Sequence, residues 1–168
     1  MMKVFIGWSG PRSKAVAQAL HDWLPDVIHI LKPWMSSADL DKGRIWPTEI
    51  SKELKESGFG IICLTPENLQ QPWIYFEAGA ISKSVEHTYV CPLLFDLDGL
   101  DQNNPLNLFQ TTKAEKDDIK SLIKTMNNAL GDAKLDDARL NKSFENNWKE
   151  LEDKLDQIRK NSQQQPKS

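Results

Sequence analysis

Short apolar runs alternate with helical patterns along this chain, and that alternation limits the possible folds more than any other sequence feature. The runs predicted as buried strands are Lys3–Gly7, Val27–Leu31, Phe59–Leu64 and Tyr89–Phe95, with a weak fifth strand at Leu106–Thr111. The helical patterns between them cover Ser13–Leu24, Trp46–Ser57 and Pro72–Glu86. Nearly continuous apolar runs are typical of strands covered on both faces of a parallel sheet. The alternation therefore predicts right-handed βαβ units, an α/β fold with a doubly wound parallel sheet.

The chain changes character after residue 111. Two charged, helix-favouring segments, Lys113–Leu130 and Lys142–Lys160, flank a break at Gly131–Asp137. Apolar residues repeat at helical spacing in the second segment, and this stripe predicts a face packed on the domain or on a partner: Phe144, Trp148, Leu151, Leu155 and Ile158. The polar, Gln-rich end predicts disorder. We therefore expect a core at 1–111, helices at 112–160 on the same domain and a disordered tail at 161–168.

Composition argues against several classes of function. The net charge is −3, with 21 basic and 24 acidic residues well mixed, which argues against a dedicated nucleic-acid-binding protein. No run approaches the roughly 20 apolar residues of a membrane span. Cys63 and Cys91 lie inside apolar runs, so buried thiols are expected rather than a disulfide or a zinc site. These features predict a cytoplasmic protein with no metal site and no membrane partner.

The predicted sheet also locates a candidate binding crevice. In an open parallel sheet, ligands bind beyond the carboxyl ends of the strands, where the strand order reverses. If the order is 2-1-3-4-5, loops 7–12 (GWSGPR) and 65–72 (TPENLQQP) border that crevice. Backbone N–H groups near Ser9, together with Arg12, could hold a phosphate there. The alternative is an ordinary strand-to-helix turn with Ser13 as N-cap. The GxxG spacing is too loose to separate the two, so the loop taken alone favours the ordinary turn.

The predicted third helix carries an unusual carboxylate. Pro72 suits a first helical position, and Glu77 follows within an apolar segment that contains Phe76. A carboxylate in such a segment is costly unless it is paired or used. Trp73 lies four residues before Glu77 and therefore shares its helix face. The pattern leaves two possibilities open, a functional carboxylate or one that points to solvent or meets a buried arginine.

A third feature is the loop 39–49 (DLDKGRIWPTE). Gly43 permits a turn, and Trp46 followed by Pro47 offers an aromatic platform before a helix. Ligand stacking on Trp46 competes with a simpler interpretation, a surface loop anchored by its tryptophan. The sequence has no GxSxG, P-loop or HExxH motif, which argues against the common hydrolase and NTPase classes.

Taken in order, three segments resemble a prokaryotic TIR (Toll/interleukin-1 receptor-like) domain of the NAD-cleaving type. VFIGWSG (4–10) is similar to the first-strand box of that family, and residues 36–69 resemble its BB-loop region, second helix and third strand. PWIYFEAGA (72–80) matches the Trp-x-x-x-Glu signature of enzymatic TIR domains. The sequence departs from the family in two places. Trp8-Ser9-Gly10 replaces the usual Ser-Tyr pair, and the cysteine that follows the tryptophan in many plant and animal relatives is missing.

The resemblance implies a flavodoxin-like fold with strand order 2-1-3-4-5 and cleavage of the nicotinamide–ribose bond of NAD. The products would be nicotinamide and either ADP-ribose or a cyclic ADP-ribose-type signal, as in Thoeris-like antiphage defence. Carried over by position, Glu77 is the catalytic glutamate and Trp73 its motif partner. The remaining nucleotide contacts fall on the first-strand loop and the BB loop: Trp8, Ser9, Arg12, Asp41, Lys42, Gly43 and Trp46.

The resemblance also implies partners. NAD is a substrate rather than a bound cofactor, and TIR–TIR contacts would build a homo-oligomer. A separate effector protein would respond to the nucleotide product. Two alternatives stay open. One is a non-catalytic TIR adaptor or self-association module, and the other is a related nucleotide N-glycosidase or deoxyribosyltransferase-like enzyme.

Overall fold

The structure is a computed structural model that describes residues 2–35, 58–69 and 89–164. Its strands are β1 (Met2–Gly7), β2 (Leu31–Met35), β3 (Phe59–Leu64), β4 (Tyr89–Leu94) and β5 (Thr112–Lys113). Its helices are α1 (Pro11–Val27), α2 (Lys116–Ala129) and α3 (Asp137–Gln164), with 3-10 turns at Pro105–Leu108 and Gly131–Ala133. The strands form one parallel sheet in the order β2-β1-β3-β4-β5. The predicted α/β class and strand order are therefore confirmed.

Both faces of the sheet bury apolar side chains, which explains the continuous apolar runs. In β1, Val4 and Ile6 belong to the core cluster that includes the buried faces of α1, α2 and α3. Phe5 belongs to a second cluster that also contains Ile62 and Leu106. Because side chains alternate along a strand, a strand covered on both sides must be apolar at every position.

Helix α3 packs along α1 through its apolar stripe. The indole Nε1 of Trp23 donates to the carbonyl of Asn147 at 2.8 Å, and the Trp23 ring meets Phe144 edge-on at 6.0 Å. Ser143 Oγ also donates to the carbonyl of Val27 at 2.7 Å, at the end of α1. The other stripe residues Trp148, Leu151 and Leu155 are buried, and Ile158 packs against the same core. The predicted packing of this stripe on the domain is confirmed.

The prediction of a second strand at Val27–Leu31 is wrong. Helix α1 continues through Pro25 to Val27, and β2 begins only at Leu31. A short apolar run fits a buried helix end as well as a buried strand, so its periodicity does not separate the two. The observed strand contains Pro33, which a sheet tolerates because β2 lies at the edge.

The prediction of a fifth strand at Leu106–Thr111 is also wrong. Pro105–Leu108 forms a 3-10 turn in which the Asn104 side chain accepts from the backbone N–H of Leu106 at 2.9 Å. The fifth strand comes later, at Thr112–Lys113, and pairs with the end of β4. Pro105 and the Asn104 cap favour a turn where the apolar spacing alone favoured a strand.

The last helix extends past its predicted end. Helix α3 runs to Gln164, whereas the sequence predicted helix to Lys160 and disorder from residue 161. The extension is Asn-Ser-Gln-Gln, in which glutamine is a good helix former, and the preceding turns already anchor the helix that this polar segment continues. Residues 165–168 of the predicted tail, and the predicted helices Trp46–Ser57 and Pro72–Glu86, lie outside the described residues. Within the described segments, none of the helices has the length and apolar character needed to cross a bilayer.

Candidate functional site

The carboxyl ends of β1, β3 and β4 lie side by side at one edge of the sheet. Gly7 pairs with Ile62, and Leu64 pairs with Leu94, so the loops that follow these strands are neighbours. The first loop turns into α1 at Gly10, whose φ of +88° is a conformation that other residues adopt only under strain. Gly10, rather than Ser13, is the N-cap, so α1 begins two residues before the predicted start. Both predicted crevice loops therefore begin at this edge.

Ser13 joins the first loop to β3. Its side chain is 1% exposed, accepts a hydrogen bond from the Ser9 backbone N–H at 3.1 Å and donates to the Cys63 carbonyl at 2.8 Å. The predicted N-cap role for Ser13 is wrong, because the residue lies within the first turn and bonds across to the sheet. The Ser9 N–H, proposed from the sequence as a phosphate donor, is engaged by this protein acceptor.

Asn68 completes the connection from the other side. Its Oδ1 accepts from the Thr65 backbone N–H at 2.9 Å, and its Nδ2 donates to the carbonyls of Ser9 at 3.0 Å and Cys63 at 3.1 Å. Asn68 is 2% exposed and Thr65 is 1% exposed. We call Ser9, Ser13, Cys63, Thr65 and Asn68 the polar clasp. Neither Ser13 nor Asn68 was predicted as a residue that builds the site. An asparagine three residues after a threonine at a strand end is the signal that could have found Asn68, because such side chains bond local backbone groups.

Arg12 lies beside the clasp and contacts two carboxylates. Its Nε donates to Glu67 at 3.0 Å, its Nη2 donates to the other oxygen of Glu67, and its Nη1 donates to Asp96 at 2.6 Å. Burial lowers the pKa of Arg12, but the hydrogen bonds to Glu67 and Asp96 outweigh it and leave the pKa raised. Burial raises the pKa of Glu67, but the hydrogen bond from Arg12 outweighs it and leaves that pKa lowered. The cation predicted to hold a phosphate is thus already oriented by two protein anions.

Trp8 occupies the start of the same loop. Its ring is partly buried against the core, and Lys14 Nζ lies 5.3 Å from the ring centroid. The indole Nε1 is buried, and among the described residues it has no hydrogen-bond acceptor. Buried indole N–H groups usually donate a hydrogen bond, so the Trp8 N–H is a donor that a further acceptor could use.

The other predicted site residues lie outside the described residues: Asp41, Lys42, Gly43, Trp46, Trp73 and Glu77. Their roles stay predictions. The structure brings Trp8, Ser9 and Arg12 to the predicted edge of the sheet, together with the loop that leads toward Trp73 and Glu77 in the sequence.

A groove of about 510 Å³ lies at the carboxyl ends of β4 and β5, against α3. Its lining is mainly charged and includes Asp96, Asp98, Lys113, Glu152 and Arg159, with Trp148 and Leu155 at its apolar part. Trp8, Ser9 and Arg12 are not part of this lining. The groove adjoins the candidate crevice through Asp96, which also contacts Arg12.

Cysteine thiols and clusters of acidic side chains are two other groups that can form a nucleophile or a metal site. Within residues 2–35, 58–69 and 89–164, no group of three His, Cys, Asp or Glu side chains is arranged to hold a metal ion. The cysteines are thiols, with Cys63 buried and Cys91 partly buried. Burial raises the pKa of Cys91 to about 11, which keeps this thiol protonated and poorly nucleophilic at neutral pH.

A family model described as TIR domain matches residues 4–123 of the 168-residue chain. The matched segment spans the three loop-bearing strands of the crevice and the Trp73–Glu77 sequence. No curated protein matches the chain.

Proposed function

Because this chain belongs to the TIR domain family, we propose that it is an enzyme that cleaves the nicotinamide–ribose bond of NAD. The observation that carries the proposal is the Trp73-x-x-x-Glu77 motif, which lies inside the matched segment and follows the β3 loop. That loop borders the edge of the sheet where a doubly wound fold binds its ligands.

The chemistry requires little more than one well-placed carboxylate. Nicotinamide is cationic while it is attached to the ribose, so it takes the bonding electron pair and leaves as a neutral base without a general acid. The ribose carbon is left as an oxocarbenium-like cation, which a carboxylate stabilises. In this proposal Glu77 hydrogen-bonds the ribose hydroxyls and stabilises the cation. Attack by water then gives ADP-ribose, and attack by a nucleophilic atom of the same nucleotide gives a cyclic product.

The described first loop supplies part of the proposed nucleotide contacts, above all the Arg12 guanidinium. A guanidinium carries five N–H groups, and the contacts of Arg12 with Glu67 and Asp96 use three of them. One N–H on each Nη therefore remains for a pyrophosphate oxygen, and the two carboxylates keep the guanidinium in place for it. Trp8 or Trp46 stacks on a base, and Ser9 with Asp41, Lys42 and Gly43 completes the contacts.

The proposed biological setting is bacterial antiphage immunity. TIR domains commonly self-associate, so we propose a homo-oligomer built through TIR–TIR contacts. The nucleotide product would activate a separate effector protein, and the reaction would take place in the cytoplasm. No nucleic acid and no membrane enters this proposal.

The first prediction tests Glu77 directly. Incubation of the protein with NAD should release nicotinamide, and Glu77→Gln should reduce the rate by at least about 100-fold, since it removes the charge that stabilises the cation. Glu86→Gln makes the same change nine positions later in the same predicted helix and should retain activity. The measurement is nicotinamide release by chromatography at several protein concentrations, with mass spectrometry of the second product. An inert wild type at every concentration, or an equally active Glu77→Gln, would refute the proposal.

A second candidate is a TIR adaptor that self-associates without turnover. The observation in its favour is that Ser9 and Arg12 already bond protein groups, so this part of the crevice is stable without a nucleotide. This candidate predicts no base release at any protein concentration. A panel of nucleosides and nucleotides beside NAD separates the third possibility, a related N-glycosidase or deoxyribosyltransferase-like enzyme, which would prefer those substrates.

A further inference from the structure

Two arginines from distant parts of the chain meet at one phenyl ring. Phe95 follows β4 and is fully buried. The guanidinium carbon of Arg12, in the first turn of α1, lies 5.5 Å from the ring centroid, and that of Arg159, near the end of α3, lies 4.9 Å from it. Both distances are within the range of a cation–π interaction. The candidate crevice and the C-terminal helix therefore share a contact residue.

Asp96 links the same two arginines through charge. One carboxylate oxygen accepts from Arg12 Nη1 at 2.6 Å, and the other lies 3.4 Å from Arg159 Nε. Its backbone φ of 56° is the only positive value at a non-glycine residue in the described part of the chain. This conformation is uncommon, although Asp adopts it more readily than most residues. The surrounding contacts must hold the chain in this conformation.

Arg159 is itself anchored to the sheet. Its Nη2 donates to the Ala114 carbonyl at 3.1 Å, just after β5, and its Nη1 donates to Asp156 at 3.0 Å within α3. The guanidinium is thus held from three directions, by Asp96, Ala114 and Asp156. We call Arg12, Glu67, Phe95, Asp96 and Arg159 the arginine cluster.

From these contacts we infer that Asp96 and Arg159 are positioning residues for Arg12, so that the C-terminal helix is coupled to the nucleotide loop. The inference rests on the proposed function, because it gives Arg12 a phosphate oxygen of a dinucleotide to bind. Glu67 alone can hold one edge of the guanidinium, through Nε and Nη2. Asp96 adds the contact to Nη1, and Arg159 places Asp96. Without them, a carboxylate holds the Arg12 guanidinium at one edge only, through Glu67.

Among residues 2–35, 58–69 and 89–164, the other charges near Asp96 do not reproduce this link. Glu67 faces Arg12 from the β3 loop, and Asp156 faces Arg159 from α3, but Asp96 is the carboxylate that contacts both guanidiniums. Removing Asp156 leaves both arginines on Asp96. Removing Asp96 breaks the charged link between the two arginines and leaves only their shared contact with Phe95, which makes Asp96 the residue to test first.

The experiment is hydrogen–deuterium exchange of the full chain, followed for the segment 8–14, with Asp96→Asn and Arg159→Gln. Asp98→Asn and Arg139→Gln are matched controls, because Asp98 lies two residues away on the same loop and Arg139 pairs with Asp136 at the other end of α3. We expect exchange in 8–14 to rise about fivefold in Asp96→Asn and about threefold in Arg159→Gln, with no change in the controls. Arg159→Lys keeps a charge beside Asp96 and should fall between wild type and Arg159→Gln. If Arg159→Gln behaves like Arg139→Gln, the coupling is refuted.

Steady-state kinetics with NAD separate a positioning role from a purely structural one, because only a positioning role changes KM while kcat is kept. Both variants should raise KM about three- to tenfold while kcat stays within about twofold, because Arg12 binds phosphate and takes no part in bond cleavage. A fall in kcat of about three- to tenfold with unchanged KM would overturn the positioning role. If wild type releases no nicotinamide, the proposed function fails, and the exchange measurement alone then decides whether α3 is coupled to the loop.

Discussion

The polar clasp and the arginine cluster lie at the same edge of the sheet, and they hold neighbouring loops by different physical means. In the clasp, Ser13 and Asn68 are 1% and 2% exposed and make neutral hydrogen bonds to backbone groups. In the cluster, the side chains of Asp96 and Glu67 are 37% and 57% exposed and pair with arginine. The polar clasp excludes water from its polar groups, whereas the arginine cluster leaves its carboxylates partly exposed to water.

This difference predicts different roles. A buried polar group that loses its partner costs about 1–3 kcal/mol, because water cannot replace the lost bond. An exposed ion pair contributes about 0–1 kcal/mol, because water solvates and screens both charges. The clasp should therefore determine the stability of the loops, and the cluster should mainly determine the direction of Arg12.

The largest effect is expected from Asn68→Ala. The substitution leaves the Thr65 N–H without its acceptor and removes one donor each from the carbonyls of Ser9 and Cys63. We expect the free energy of unfolding to fall by about 2–4 kcal/mol, measured by urea denaturation at neutral pH. Asn146→Ala is the control, because Asn146 is exposed on α3 and its loss should change stability by less than about 0.5 kcal/mol.

A fall below about 1 kcal/mol for Asn68→Ala would contradict the comparison, because the buried clasp would then contribute no more than an exposed ion pair. The m-value should stay unchanged. A change in m would indicate that the substitution altered the compactness of the unfolded or native state rather than the clasp alone.

A smaller effect is expected from Ser13→Ala. It removes the acceptor of the Ser9 N–H and one donor to the Cys63 carbonyl, which keeps its bond from Asn68. We expect a loss of about 1–2 kcal/mol, since fewer groups are left unsatisfied. Ser121→Ala, on the exposed face of α2, makes the same chemical change and provides the background. Equal losses in Ser13→Ala and Ser121→Ala would show that the clasp bonds are exchanged for water at no cost.

The sequence predicted the parallel sheet because its strands are apolar on both faces, and only that architecture buries strands such as β3 completely. It misplaced β2 because the run 27–31 fits the end of a helix equally well. It misplaced β5 because the last strand has only two residues, too few for any periodic signal. Both errors arise where the apolar pattern is short. The position of β2 depends on its pairing with the distant strand β1, and the turn at Pro105–Leu108 depends on Pro105 and the Asn104 cap.

In the candidate site, contacts between distant parts of the chain limited the prediction. The edge of the sheet could be predicted from topology alone, and Trp8, Ser9 and Arg12 lie there. The partners of Arg12 could not be predicted, because Glu67 and Asp96 lie 55 and 84 positions away in sequence. Arg159 lies in the charged segment Lys142–Lys160, and nothing in its local pattern marks its contact with Phe95.

The smallest effect concerns the pH dependence of the cluster. Burial raises the pKa of Glu67, but the hydrogen bond from Arg12 outweighs it, so the folded-state pKa lies below the ordinary value. A carboxylate with a lowered pKa stabilises the folded state at pH values above the ordinary glutamate pKa of about 4.3. This stabilisation is lost as the pH falls through the folded-state pKa. Glu67→Gln should therefore lower stability at pH 7 by less than about 1 kcal/mol, as expected for an exposed pair.

The difference between wild type and Glu67→Gln should then shrink as the solution is acidified below about pH 4.3, because wild-type Glu67 becomes protonated and as neutral as glutamine. Glu150→Gln is the matched control, since it removes an exposed carboxylate from a longer 3.7 Å pair with Lys154 on α3. The measurement is thermal unfolding of the three proteins from pH 7 to pH 3. If the stability difference between wild type and Glu67→Gln widened in acid, the sign of the contribution from ionised Glu67 would be the reverse of the one predicted. A loss at pH 7 as large as that of Asn68→Ala would mean that Glu67 belongs with the buried clasp, and that its exposed position does not weaken its bond to Arg12.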